Sequence, residues 1–237
     1  MGNERWTSFH HQHHESDIWI AVNSESYSDE LKRYTFGRIK YYRQILDDHI
    51  GKNPEFLSSL VPLVPEEDVH PLIADMYKAA SVAGVGPMAA VAGAFAEHLC
   101  RDTSSEFNVK EMIAENGGDI FLMLEKPSTI SVFAGDSPLS DRIGIIAVPE
   151  QSPLSICCSS GTVGHSLSFG TADACVIACR SGALADAYAT AACNQVKNKE
   201  MVQEITTNFL EKPGILSVVI IKEDRVAIGG ILELTVL

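Results

Sequence analysis

Basic residues are scarce: 18 Lys and Arg stand against 31 Asp and Glu, a formal net charge of −13 over 237 residues. A protein that grips nucleic acid needs a basic face to neutralise phosphates. The densest basic stretch, Lys32 to Arg43, is interleaved with Tyr34, Phe36, Ile39, Tyr41 and Tyr42 and reads as one mixed helix. Nucleic acid is therefore not an expected partner. Long apolar runs are missing too, since no window reaches the roughly 18 consecutive apolar residues of a membrane span. Met1 to Trp19 lacks the basic stretch and apolar run of a signal peptide. The expectation is a cytoplasmic chain without a membrane partner. No C-x-x-C pair occurs among Cys100, Cys157, Cys158, Cys175, Cys179 and Cys193, and most of them sit in apolar or small-residue runs. Buried, reduced thiols are expected. A Walker A phosphate loop is excluded because G-K-[ST] does not occur.

What is present suits one sizeable core. Hydrophobic residues make up 46% and charged residues 21%, and a chain of this length buries roughly 70% of its unfolded surface. Asp17 to Val22 alternates as a short strand. Ser28 caps a helix from about Asp29 to His49, with Leu31, Ile39, Tyr42, Ile45, Leu46 and Ile50 near helical spacing. Glu66 to Ala83 reads as a second helix whose regular part starts at Pro71. His10, His11, His13 and His14 invite a metal reading, but their spacing fixes no geometry and terminal segments are often mobile.

Two later stretches follow one plan. The first runs from Gly84-Val85-Gly86-Pro87 through a small-residue helix, Met88 to Leu99, and the loop Asn116-Gly117-Gly118-Asp119. It ends in strands Ile120 to Leu124 and Thr129 to Ala134, expected to form a hairpin through a turn at Lys126-Pro127. The second runs from the loop Ser159 to Gly170 through strand Ala174 to Ala178 and helix Ala183 to Val196. Its strands are Ile215 to Ile221 and Arg225 to Gly229, and Gly144 to Val148 adds a further strand. The recurring order predicts a duplicated α+β fold with antiparallel sheets and packed helices, as one domain. Its halves fall at about 84–140 and 155–237, after an N-terminal helical extension of about 1–83.

Asp186 and Thr190, four apart on a helix, share a face and could both reach one hard cation such as Mg²⁺. Equally, Asp186 could complement the start of its own helix behind an N-cap at Ser181 while Thr190 is simply packed. In the loop Ser159-Ser160-Gly161-Thr162-Val163-Gly164-His165, backbone N–H groups could wrap an anion and His165 could act as base or donor. A plain Gly/Ser loop explains it as well. Asn116 to Asp119 is a tight turn, with Asp119 a candidate ligand contact.

Ala185-Asp186-Ala187-Tyr188-Ala189-Thr190-Ala191 resembles the A-D-A-x-A-T-A signature of ApbE-like flavin transferases. Glu115-Asn116-Gly117-Gly118-Asp119-Ile120 is similar to their N-x-G-G-D-I segment. Val91-Ala92-Gly93-Ala94-Phe95-Ala96-Glu97 resembles their K-G-x-x-x-D helix, and Cys158-Ser159-Ser160-Gly161 their S-T-S-G loop. The resemblance covers about Gly84 to Val196 in the same order. It fits best a compact, functionally uncharacterised branch of that superfamily, in which G-V-G-P-M-A-A-V-A-G and S-S-G-T-V-G-H-S recur.

The resemblance implies a T-fold-like duplicated architecture. In the transferases, FAD and Mg²⁺ bind between the halves, and FMN passes to a Thr or Ser hydroxyl of an acceptor protein with release of AMP. Carried over, Asp186 and Thr190 are metal ligands and Asp119 lines the pocket, while His165, read from its own loop, is the catalytic candidate. Gly93, Gly117, Gly118, Asp119, Ser159, Ser160, Gly161 and Thr162 are the cofactor contacts. Two departures accompany the match: the Lys of K-G is Ala92, and the H-I-x-D-P-x-T-G segment is absent. Three readings stay open, namely a flavin-related transferase, a module that holds a flavin or another flat heteroaromatic without turnover, and an interaction protein whose pocket has closed. The oligomeric state is left open.

Overall fold

The structure is a computed structural model that describes residues 5–65, 68–163 and 169–237. In chain order the elements are β1 (Trp6–His13), β2 (Ser16–Asn23), α1 (Asp29–Lys52), α2 (Glu55–Ser58), α3 (Pro71–Ala83) and α4 (Val91–Phe107). There follow β3 (Met112–Asn116), β4 (Asp119–Met123), β5 (Ser128–Ser131), β6 (Ile143–Ala147), β7 (Leu154–Ser159) and β8 (Ala174–Cys179). The chain ends with α5 (Gly182–Gln195), α6 (Val202–Leu210), β9 (Ile215–Lys222), β10 (Arg225–Gly230) and β11 (Glu233–Val236).

The architecture is α+β with antiparallel sheets, as the sequence predicts. Eight strands form one sheet in the order β1-β2-β3-β4-β7-β8-β9-β10, and β11-β6-β5 form a second. Helices cover one face of the large sheet and the small sheet covers part of the other, which makes two apolar cores. Strand β8 shows why both form. Cys175, Ile177 and Cys179 face the helices while Ala174, Val176 and Ala178 face the small sheet, the two-residue alternation of a strand buried on both sides.

The helix starts follow the expected chemistry. Ser28 Oγ accepts the Leu31 N–H at 3.1 Å, and Leu31, Thr35, Ile39, Tyr42 and Leu46 make the buried stripe of α1. Pro71 opens α3; the expected upstream start at Glu66 lies outside the described residues. No single described helix is long and apolar enough to cross a membrane.

Three expectations are corrected. The histidine-rich start is strand β1, edge-paired with β2, because Phe9 and His11 turn inward while their neighbours stay out. His11 Nε2 lies 3.0 Å from both the Lys32 carbonyl and Thr35 Oγ1, His10 pairs with Asp17, and the His13 and His14 rings meet edge to face. These histidines serve local packing, and no group of three His, Cys, Asp or Glu suited to a metal occurs among the described residues. Second, the hairpin turn is Gly117-Gly118, joining β3 to β4, with φ of 65° and 101°, the positive values that a two-residue turn demands. The segment after Lys126-Pro127 instead crosses to the small sheet as β5. Third, the supposed extension before residue 84 supplies strands of the large sheet, so β1–β4 and β7–β10 each form a hairpin–helices–hairpin group.

All six cysteines are free, and five are buried. Burial pushes the Cys158 and Cys179 thiols up to about 12, which suppresses the reactive thiolate. Thiol titration under non-reducing, anaerobic conditions is expected to find six free thiols after denaturation and little reaction before it. A stable disulfide in such protein would contradict this.

Candidate functional site

The site is built where α4 and α5 touch at their first turns. Both helices are rich in small residues, so their backbones can approach closely. A Cβ on Gly93 would stand 2.2 Å from the Gly182 carbonyl oxygen, and a Cβ on Gly182 would stand 2.2 Å from that of Gly93. Contact this close leaves early N–H groups of both helices in need of partners. Each helix supplies the other's. The Gly93 N–H donates to Asp186 Oδ2 at 3.0 Å, and the Gly182 N–H donates to Glu97 Oε2 at 2.6 Å. Glu97 Oε1 also accepts from Arg101 Nε at 2.8 Å. Each acid lies four residues after its own glycine, so a repeated G-x-x-x-acid pattern makes a reciprocal cap that also sets negative charge at each helix's positive end. Asp186 therefore does not serve the start of its own helix, where Ser181 Oγ accepts the Leu184 N–H at 3.4 Å.

Beside this crossing lies a pocket of about 320 Å³. Asp119, Asp186 and Thr190 line it together with Val85 and Gly86, Met88 and Ala89, Val91 and Ala92, the segment 57–60, Phe169 and Asn194. Asp119 is the first residue of β4, and its Oδ1 accepts the Cys158 N–H at 3.2 Å. Thr190, one turn beyond Asp186, has its Oγ1 3.3 Å from Ser159 Oγ. Among the described lining residues there is no Lys, Arg or His.

Two buried carboxylates beside an apolar wall hold their protons tightly. Burial first, and then the charge of Asp186, push Asp119 well above the usual carboxylate range. Burial lifts Asp186 to about 7, against the opposing pull of the Gly93 and Ala92 N–H groups. Between the ordinary aspartate value of 3.8 and about 7 the folded state binds more protons than the unfolded chain, so stability falls as pH rises through that window. Without divalent cations, unfolding in urea is expected to show a loss on the order of a few kcal/mol between pH 4 and pH 7.5. Asp186→Asn should flatten much of that slope, and a profile unchanged by it would contradict the assignment.

The other sequence-selected residues are placed differently. Gly117 and Gly118 lie at the turn before Asp119 and do not line the pocket; the Gly118 N–H donates to Glu115 Oε1 at 2.7 Å. The loop after β7 uses its polar groups on itself. Ser160 Oγ accepts the N–H groups of Thr162 and Val163 at 3.1 and 3.0 Å. The Gly161 N–H goes to the Ala172 carbonyl at 2.9 Å, and Thr162 Oγ1 donates to Asp173 Oδ1 at 3.2 Å. These N–H groups are already spent, so the loop at 160–163 offers no anion cradle in this arrangement. His165 lies outside the described residues. Phe169 and Asn194 escape the motif reading; Glu97 ends the stretch matched to the K-G-x-x-x-D helix but is not singled out there, although the spacing of Gly93 to Glu97 equals that of Gly182 to Asp186.

Known proteins share this architecture. The model of the family described as AbpE bacteria matches residues 1–214. A UPF0280 protein of Methanocaldococcus jannaschii is 38% identical over 222 residues, 91% of this chain and 87% of its own length. A UPF0280 protein of Methanoregula boonei is 43% identical over 182 residues, 75% of this chain and 73% of its own length. Among solved structures, the ApbE protein of Thermotoga maritima aligns with a TM-score of 0.59 at 12% identity, covering 96% of each chain. The apo flavinyl transferase ApbE of Pseudomonas stutzeri aligns with a TM-score of 0.54 at 11% identity, covering 94% of each. At that identity the structural likeness establishes the fold.

Proposed function

The chain belongs to the AbpE bacteria family, and on that premise we propose that it binds a flavin-type nucleotide together with a divalent cation in the pocket at the α4–α5 crossing. One observation carries the reading. Two buried carboxylates and a hydroxyl, Asp119, Asp186 and Thr190, share a pocket that has no basic residue among its described lining. Either acid, once ionised, would repel a phosphate group unless a cation came with it, and a bound cation would displace their protons. The donors are all hard oxygens, which suits Mg²⁺. Asp186, with Thr190 and Asp119 beside it, would hold the ion, which supplies neutralisation of the phosphate charge. The pocket volume lies in the range of small-molecule sites.

In the same reading the strand groups 6–123 and 154–230 are duplicated halves, and the pocket lies where α4, the last helix of the first, meets α5, the first helix of the second. Transfer of FMN from FAD to a hydroxyl of an acceptor protein, with AMP leaving, is the chemistry this arrangement would serve. A second reading, holding the nucleotide without turnover, is favoured by Ala92. It lines the pocket at the position where the transferase motif carries Lys, and Asn116 Nδ2 donates to its carbonyl at 3.3 Å.

The test begins with the small molecule that copurifies, read by absorbance and mass spectrometry. A flavin in the native protein supports the site, and a preparation that neither contains nor takes up one contradicts it. Incubation with FAD and Mg²⁺ then separates the two readings, since AMP appears only if turnover occurs.

A further inference from the structure

One face of α5 carries Asp186, Thr190 and Asn194 at successive intervals of four residues, and all three line the pocket. Helical geometry places them in one stripe that rises about 12 Å from the crossing towards the C-terminal end of α5. At that end the backbone of Phe169 is held from both sides. Its N–H donates to Asn194 Oδ1 at 2.8 Å, and its carbonyl accepts from Lys197 Nζ at 2.6 Å. The next residue, Gly170, lies directly on the helix end, where a Cβ would stand 1.6 Å from the Cys193 carbonyl oxygen. Phe169 nevertheless stays 55% exposed while lining the pocket.

An aromatic ring on a fixed backbone, left half open to solvent, contributes little to a core. It is a preorganised apolar surface. Leu57 and Leu60, 56% and 54% exposed, line the same pocket. The pocket thus has two chemically distinct parts, a carboxylate part at the helix crossing and an apolar, partly aromatic part at its solvent side.

We infer that Phe169 is the platform on which the flat ring of the nucleotide stacks, so that the ligand lies along α5 with its charged end at Asp186. This rests on the reading of the pocket as a nucleotide site and adds to it the direction of the ligand and the residue that selects a flat ring. Asn194 and Lys197 act as positioning residues, through the backbone of Phe169.

The test is calorimetric titration of the full-length protein with FMN and Mg²⁺, comparing wild type with Phe169→Ala, Phe169→Leu and Phe169→Trp. Stacking of a base on an aromatic side chain is commonly worth a loss of about 10-fold or more in affinity when the ring is removed. Phe169→Ala and Phe169→Leu should both lose about that much, although Leu keeps apolar bulk. Phe169→Trp should retain the affinity and quench flavin fluorescence. The side chain is exposed, so the thermal midpoint should be the same in all four proteins. Equal affinity in wild type and Phe169→Leu overturns the platform and leaves the nucleotide site standing. Absence of FMN and FAD binding by wild type overturns the site itself.

Discussion

Gly182→Ala is expected to cost about 3 kcal/mol, at the upper end of what overpacking does, and to lower Tm by roughly 6–12 °C for a chain of this size. The added Cβ would meet the Gly93 carbonyl oxygen at 2.2 Å and the Glu97 Cβ at 3.1 Å. The first is backbone inside a helix, so no rotamer change relieves it; the helices must separate. Separation would also stretch the two N–H to carboxylate caps that hold the crossing. Gly93→Ala should behave alike, because its Cβ meets the Gly182 carbonyl oxygen at the same distance and the Asp186 Cβ at 2.9 Å. The double variant should cost less than the sum, since both act on one contact. Gly37→Ala is the control. It lies inside α1 with nothing within 4 Å of the added Cβ, so helix propensity alone should make it neutral or stabilising by up to about 1 kcal/mol. Thermal and urea unfolding of the four proteins checks this, and an unaffected Gly182→Ala would contradict the close crossing.

Asp186→Asn is expected to weaken divalent-dependent nucleotide binding by about 100-fold or more, since even partners of metal ligands commonly matter 10- to 100-fold. The fold should survive, because the amide oxygen can still accept the Gly93 N–H. Loss of one of two repelling buried carboxylates should also make the metal-free protein no less stable at neutral pH. Thr190→Val should cost less, a neutral hydroxyl contributing less than a carboxylate to a hard cation. Glu97→Gln separates the roles of the two caps. Glu97 holds Gly182 as Asp186 holds Gly93, but it does not line the pocket. A Gln oxygen can still accept the Gly182 N–H, but the charge that pairs with Arg101 is lost, so the change should lower stability modestly while leaving nucleotide affinity largely intact. Calorimetry on folded protein, with the fold checked by circular dichroism, distinguishes these outcomes.

Much of the fold is legible where local chemistry and tertiary context agree. Ser28, Pro71 and the stripe from Leu31 to Leu46 announce their helices because caps and periodicity act within one element. Strand β1 escapes the eye because its inward residues include His11, whose burial depends on Thr35 and the Lys32 carbonyl across a helix. The turn at Gly117-Gly118 is visible, but its partner strand Met112–Asn116 is not, since five residues carry too little periodicity. Helix α6 and strand β11 are likewise set by packing on β9, β10 and β6. In the pocket, the spacing of Asp186 and Thr190 is local and readable. The approach of Asp119, 67 positions earlier in the chain than Asp186, depends on the β4–β7 pairing and cannot be read from spacing. Glu97 could have been found by the repeated G-x-x-x-acid pattern, and Phe169 by nothing short of the loop's seat on α5.

In the proposed reading the paired carboxylates take a divalent cation on which nucleotide binding depends. Titration of wild-type protein with FAD and with FMN, in Mg²⁺ and again in EDTA, tests it most directly. Binding in Mg²⁺ is expected, and it should be lost or sharply weakened in EDTA and in Asp186→Asn. Affinity that is equal under all three conditions, or no binding under any, would contradict it and leave Asp186 as a helix cap alone.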